Sequence, residues 1–100
     1  MIEVNIIRNS ESKAVGVQVL NHGDPIVCSA VSMLLLNTCN SLEEFTDAHF
    51  SFECATEGGD ATLIISKFDD EGKAELLINS LVLGYKSIEL SYKDKISVFD

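Results

Sequence analysis

Tryptophan is absent from this 100-residue chain, proline occurs once, and basic residues number 7 against 16 acidic ones. Each shortage excludes something. One proline and six glycines are too few for a collagen-like or low-complexity chain, and a 46% hydrophobic share supplies the apolar surface that a packed core needs. A chain this short builds one domain, residues 1–100. The formal net charge of −9 repels phosphate backbones and anionic headgroups. Neither nucleic acid nor a membrane surface is therefore expected as a partner, and a basic peptide or protein is. Long apolar runs are missing as well. The longest, Ala30 to Leu36, is broken by Ser32 and falls short of the roughly 20 residues that span a bilayer. Met1-Ile2-Glu3-Val4 places no basic stretch ahead of an apolar core, so no secretory signal is expected and a cytoplasmic location is.

Cysteine is scarce and odd in number: Cys28, Cys39 and Cys54, with no C-x-x-C pair. This spacing offers neither a zinc knuckle nor a redox motif, and it fits free thiols in a reducing compartment. No metal or organic cofactor is implied. A zinc site drawn from His22, Cys28, Cys39, His49 and Cys54 would need a convergence that no spacing advertises.

What is present is alternation. Ile2, Val4 and Ile6 alternate with polar residues, the polar stretch Arg8 to Lys13 follows, and Val15, Val17 and Val19 alternate again. Period two in β-branched runs predicts two half-buried strands joined as a hairpin. At Asn21-His22-Gly23-Asp24-Pro25 the pattern changes: Asp24 suits a helix N-cap and Pro25 the first helical position. The helix is predicted to run to about Leu42, with Val27, Val31, Leu34, Leu35 and Thr38 on one stripe and Cys28, Ser32, Leu35 and Cys39 on its neighbour. A second hairpin follows, with Phe50, Phe52 and Cys54 facing the core, a turn at Thr56-Glu57-Gly58-Gly59-Asp60, and Leu63 and Ile65 on the return strand. Asp69-Asp70 then opens a long helix whose buried face is predicted as Ala74, Leu77, Leu81, Tyr85, Ile88 and Tyr92, ending at Lys93 to Lys95. A short last strand holds Ile96 and Val98. The order ββαββαβ predicts an α+β fold, a mostly antiparallel sheet with two helices packed on it. Gly84 inside the second helix costs roughly 1 kcal/mol against alanine, which close helix packing would justify.

The segment His22 through Ser32 carries the chemistry. With Asp24 as the cap, Cys28 falls in the first turn of the helix, where the positive end of the dipole favours the anionic form of a thiol. His22 precedes the cap in a loop that doubles back, so an imidazole can approach the thiol and take its proton. Backbone N–H groups at the helix start would serve a tetrahedral oxyanion, and Gly23 suits a loop that must flex or admit a peptide backbone. Read without further context, the same residues also describe a buried helix cysteine beside a solvated loop histidine. His49 reads as a partly exposed strand residue, and Cys39 and Cys54 as core thiols. Cys39 lies about 16 Å along the helix from Cys28, too far for a joint site.

These residues resemble the ribosomal-processing cysteine proteases. That family's pattern is a strand, Gly-His-Ala, a loop of variable length, and Asp-Ile-Val-Cys-Ala-Ala-Val-Ser opening a helix; the matching pieces are Asn21-His22-Gly23 and Ile26-Val27-Cys28-Ser29-Ala30-Val31-Ser32. Asn40-Ser41-Leu42-Glu43, the Glu57-Gly58-Gly59 hairpin and Leu81-Val82-Leu83-Gly84-Tyr85-Lys86-Ser87-Ile88-Glu89 extend the likeness over nearly the whole chain. The chain departs from the pattern in its short His–Cys loop, in Asn21 and Gly23 around the histidine, and in Pro25 where many members carry Asp. The resemblance implies a homodimeric cysteine endopeptidase that removes an N-terminal extension from large-subunit ribosomal protein twenty-seven. It implies Cys28 as nucleophile and His22 as base, with Ser32 and Gly23 in support. The rival expectation is a catalytically silent relative that keeps the fold and binds a basic ribosomal or regulatory partner, Pro25 holding His22 away from the thiol.

Overall fold

A computed structural model describes residues 1–55 and 60–100. The turn expected at Thr56-Glu57-Gly58-Gly59, including the Glu-Gly-Gly motif, lies outside the described residues. Among the described residues the elements are β1 (Ile2–Arg8), β2 (Ala14–Leu20), α1 (Pro25–Phe45), β3 (His49–Cys54), β4 (Ala61–Lys67), α2 (Lys73–Ser91) and β5 (Ile96–Phe99). They form a five-stranded sheet in the order β3-β4-β2-β1-β5. Every pairing is antiparallel except β1 with β5, which is parallel. The predicted ββαββαβ order and α+β class hold.

Alternation explains the core. Ile2, Val4, Val17, Val19, Leu63, Ile65 and Ile96 are buried at alternate strand positions and pack in one cluster with Val27, Val31, Leu35 and Leu42 of α1 and Ala74, Ile78, Leu81 and Tyr85 of α2. The other face of the sheet is more polar, with Ile64 and Phe99 exposed on it: the Asn5 side-chain amide donates to Glu3 at 3.1 Å and to Gln18 at 3.4 Å. In β2 the alternation breaks. Ile7 pairs with Gly16 and Arg8 with Ala14, so a bulge skips Val15 and turns Ala14 inward instead.

Both helices differ from expectation at their ends. α1 continues past Leu42 to Phe45 because Leu42 is fully buried and its carbonyl accepts from both the N–H (3.3 Å) and the hydroxyl (2.8 Å) of Thr46. α2 begins at Lys73, not at Asp69. Asp69 caps from a distance: its carboxylate accepts from the N–H groups of Glu71, Lys73 and Ala74 across a left-handed Gly72 (φ 80°). The buried face of α2 includes Ile78 and Val82, while Tyr92, expected in the core, is the exposed C-cap. By length and a mean hydropathy of 1.4, α1 could cross a membrane, although no single run reveals it. In the fold its apolar stripe closes against the sheet and α2, and Asn37, Asn40, Glu43 and Glu44 lie outside.

Gly84 and Gly16 allow close approach between elements. A Cβ at Gly84 would come within 2.9 Å of Leu34 Cδ1, so the glycine serves contact between α1 and α2 within the chain. A Cβ at Gly16 would lie 2.2 Å from the carbonyl oxygen of Leu63, a backbone atom that cannot turn aside. Gly16→Ala is therefore expected to separate β2 from β4 and cost about 1–3 kcal/mol. Urea unfolding reads this as a lower midpoint; an unchanged midpoint would refute the close contact.

Candidate active site

The site forms where β2 hands over to α1. Asn21, the first residue after β2, has φ 72°, a left-handed conformation that asparagine tolerates better than other residues with a side chain. Its N–H donates to the Asp60 carboxylate at 2.8 Å, which ties the loop to the start of the β4 side. Gly23 lies against β1: a Cβ there would come within 2.9 Å of Ile2 Cγ1 and 3.3 Å of Ile2 N. The two departures from the family pattern around the histidine thus have local reasons. Asparagine takes the left-handed position where the pattern has glycine, and glycine at 23 lets the loop press on Ile2.

Asp24 then starts the helix. Its Oδ1 accepts from the N–H groups of Ile26 (2.9 Å) and Val27 (3.3 Å), Pro25 occupies the first turn, and the N–H of Cys28 donates to the Asp24 carbonyl at 2.8 Å. The first turn therefore holds no free N–H, and the expected oxyanion donors near Cys28 are already engaged. What remains at this end is the helix dipole. The second Asp24 oxygen, Oδ2, accepts from Lys95 Nζ at 3.2 Å. Lys95 first and the Val27 N–H next hold the Asp24 carboxyl below the usual aspartate range.

Between loop and helix lies a cavity of about 240 Å³ lined by Ile2, Val19, Asn21, His22, Cys28, Val31 and Ser32. His22 is exposed, Cys28 is half-buried, and Ser32 is exposed one helical turn beyond Cys28. Three of the four residues singled out in the sequence thus line one cavity. The fourth, Gly23, braces its wall through Ile2. A second, more apolar hollow of about 200 Å³ shares Ser32 and is lined by Leu35, Leu36, Phe52, Cys54 and Ala61. The two hollows share Ser32 of α1, and the second reaches Phe52 and Cys54 of the outer strand β3.

The other cysteines divide. Cys39 is buried, and burial pushes its thiol up to about 11, so it stays protonated at neutral pH. Cys54, expected in the core, is exposed at the end of edge strand β3. His49 is exposed at the start of the same strand. Among the described residues no group of three or more His, Cys, Asp or Glu side chains could hold a metal ion. Reading along the sequence missed Asp60 and Lys95, which reach the site from far along the chain. The left-handed Asn21 had a local signal, an asparagine between strand and helix cap.

A thiol and an imidazole line one cavity at a helix start on this α+β sheet, an arrangement that suits a cysteine protease. The chain belongs to the family Cysteine protease Prp, whose model matches residues 1–97. The fold is similar to that of an essential ribosomal processing protease Prp from S. aureus in complex with a covalently linked product peptide. That comparison has a TM-score of 0.89 and 24% identity and covers 99% of this chain and 98% of that one. The same S. aureus protease in complex with a substrate peptide gives a TM-score of 0.82 at 24% identity over 98% of this chain and 97% of that one. A Streptococcus mutans protein matches with a TM-score of 0.83 and 27% identity over 99% of this chain and 96% of that one. No curated protein matches the chain.

Proposed function

We propose that this protein is a cytoplasmic, homodimeric endopeptidase of ribosomal processing, removing an N-terminal extension from large-subunit ribosomal protein twenty-seven. The observation that carries the reading is the shared cavity of His22 and Cys28 at the positive end of α1. In this reading the His22 imidazole takes the Cys28 proton, and the thiolate adds to the scissile carbonyl carbon. The imidazolium returns the proton to the departing amine, and water hydrolyses the thioester. Ser32 supports from the cavity wall. The apolar hollow beside it suits an apolar side chain of the peptide. The S. aureus relative, a ribosomal processing protease with a covalently linked product peptide, supports the same chemistry. The net charge of −9 favours encounter with a basic substrate.

A second copy has a face to meet. Leu76, Leu83 and Leu90 recur at seven-residue intervals on α2 and are each 67–72% exposed, the seam spacing of paired helices. Leu83→Glu is expected to give a monomer by sedimentation; an unchanged dimer mass, or a monomeric parent protein, would remove α2 from the assembly.

Cleavage is tested with a peptide spanning the extension of the ribosomal protein. Cys28→Ala is expected to abolish cleavage and His22→Ala to lower kcat/KM by about 10²–10⁴-fold. Tight peptide binding without cleavage by the parent protein would establish the silent-binder reading instead.

A further inference from the structure

The start of α1 poses an electrostatic problem. Asp24 is the cap, no acidic residue follows in the first turn, and Cys28 stands one turn further along the same helix face. A carboxylate at the start of α1 acts on the thiol with the sign opposite to that of the helix dipole. Lys95 meets that carboxylate. Its Nζ lies 3.2 Å from Asp24 Oδ2, on the oxygen that the backbone N–H groups of α1 leave free. The lysine is also fixed in place: its N–H donates to the Tyr92 carbonyl at 2.9 Å, and its own carbonyl accepts from Ile2 N–H at 3.2 Å. Ile2 is itself a wall of the cavity.

We propose that Lys95 is a positioning residue for the Cys28 thiolate: by pairing with Asp24 it cancels the carboxylate charge at the start of α1, so that the helix dipole acts on the thiol unopposed. This rests on the reading of Cys28 as the nucleophile. The other charged or titratable groups around the thiol, among the described residues, are few. His22 lines the cavity from the loop, the Met1 amino group lies 3.5 Å from the His22 carbonyl, and Asp60 binds the Asn21 N–H. The remaining lining residues, Ile2, Val19, Val31 and Ser32, are uncharged. The pair is partly exposed, its side chains 41% and 26% accessible, so its influence is modest and salt-sensitive.

The test separates charge from scaffolding. In a Cys54→Ser, His22→Ala background, the rate of Cys28 alkylation by iodoacetamide is followed against pH, which reports the thiol midpoint without the imidazole's own titration. Lys95→Met leaves Asp24 unopposed, and the midpoint is expected to rise by about half a pH unit. Lys95→Arg restores the parent value. Asp24→Asn keeps a capping oxygen but leaves Lys95 unopposed, and the midpoint is expected to fall by about as much. The double variant Asp24→Asn, Lys95→Met returns near the parent. Opposite shifts in the two single variants support the proposal. Equal midpoints throughout, or shifts of the same sign in both, would overturn it, since mere loosening of the helix moves both one way. If Lys95→Met does not fold, Lys95→Gln, which also removes the charge, takes its place with the same expected rise. Failure of the reading of Cys28 as nucleophile shows separately, as cleavage that survives Cys28→Ala or as no cleavage by the parent protein, while the titration order stands.

Discussion

The Asp24 carboxylate organises this molecule's functional end. One oxygen holds two N–H groups of α1 and the other holds Lys95, which leads into β5, 71 residues further along. The start of the helix, and with it the position of Cys28, is therefore referenced both to its own backbone and to the far edge of the sheet. Because the cap takes the N–H groups that a helix start would otherwise offer, the site relies on the dipole for its local positive potential. An anion near Cys28 meets a field there, with the first-turn donors already in use.

The loop before the cap is short, and its brevity demands special backbone. Asn21 turns left-handed, Asp60 anchors its N–H, and Gly23 presses on Ile2 where any Cβ would collide. These three constraints carry the chain from β2 to α1 in a few residues and still leave His22 exposed on the cavity that Cys28 lines. Pro25 fits the same economy: it fills a first-turn position whose N–H has no partner to lose. A proline in the His–Cys loop is thus compatible with both side chains reaching one cavity.

Much of this was legible along the chain because it is local. Period-two runs mark the strands, and Asp24-Pro25 marks the start of α1 to the residue. Local reading fails where the partner is distant or the exception is conformational. Asp69 is a genuine cap, yet its carboxylate reaches over Gly72 to serve a helix that begins at Lys73. The bulge that skips Val15 is fixed by pairing with β1, which alternation within β2 cannot report. Cys54 shares its face with Phe50 and Phe52, but it ends an edge strand at an open hollow beside α1 and stays exposed. At the site, His22, Cys28 and Ser32 share one cavity because one loop and one helix turn suffice to join them. Lys95 and Asp60 lie just before β5 and β4, far along the chain, and leave no trace in the motif.

The most direct trial of the whole arrangement is to label the protein with a chloromethyl ketone of the substrate peptide and map the adduct by mass spectrometry. A single thioether on Cys28 is expected, with Cys39 and the exposed Cys54 unmodified. An adduct that settles on Cys54, or labelling that leaves Cys28 untouched, would contradict it.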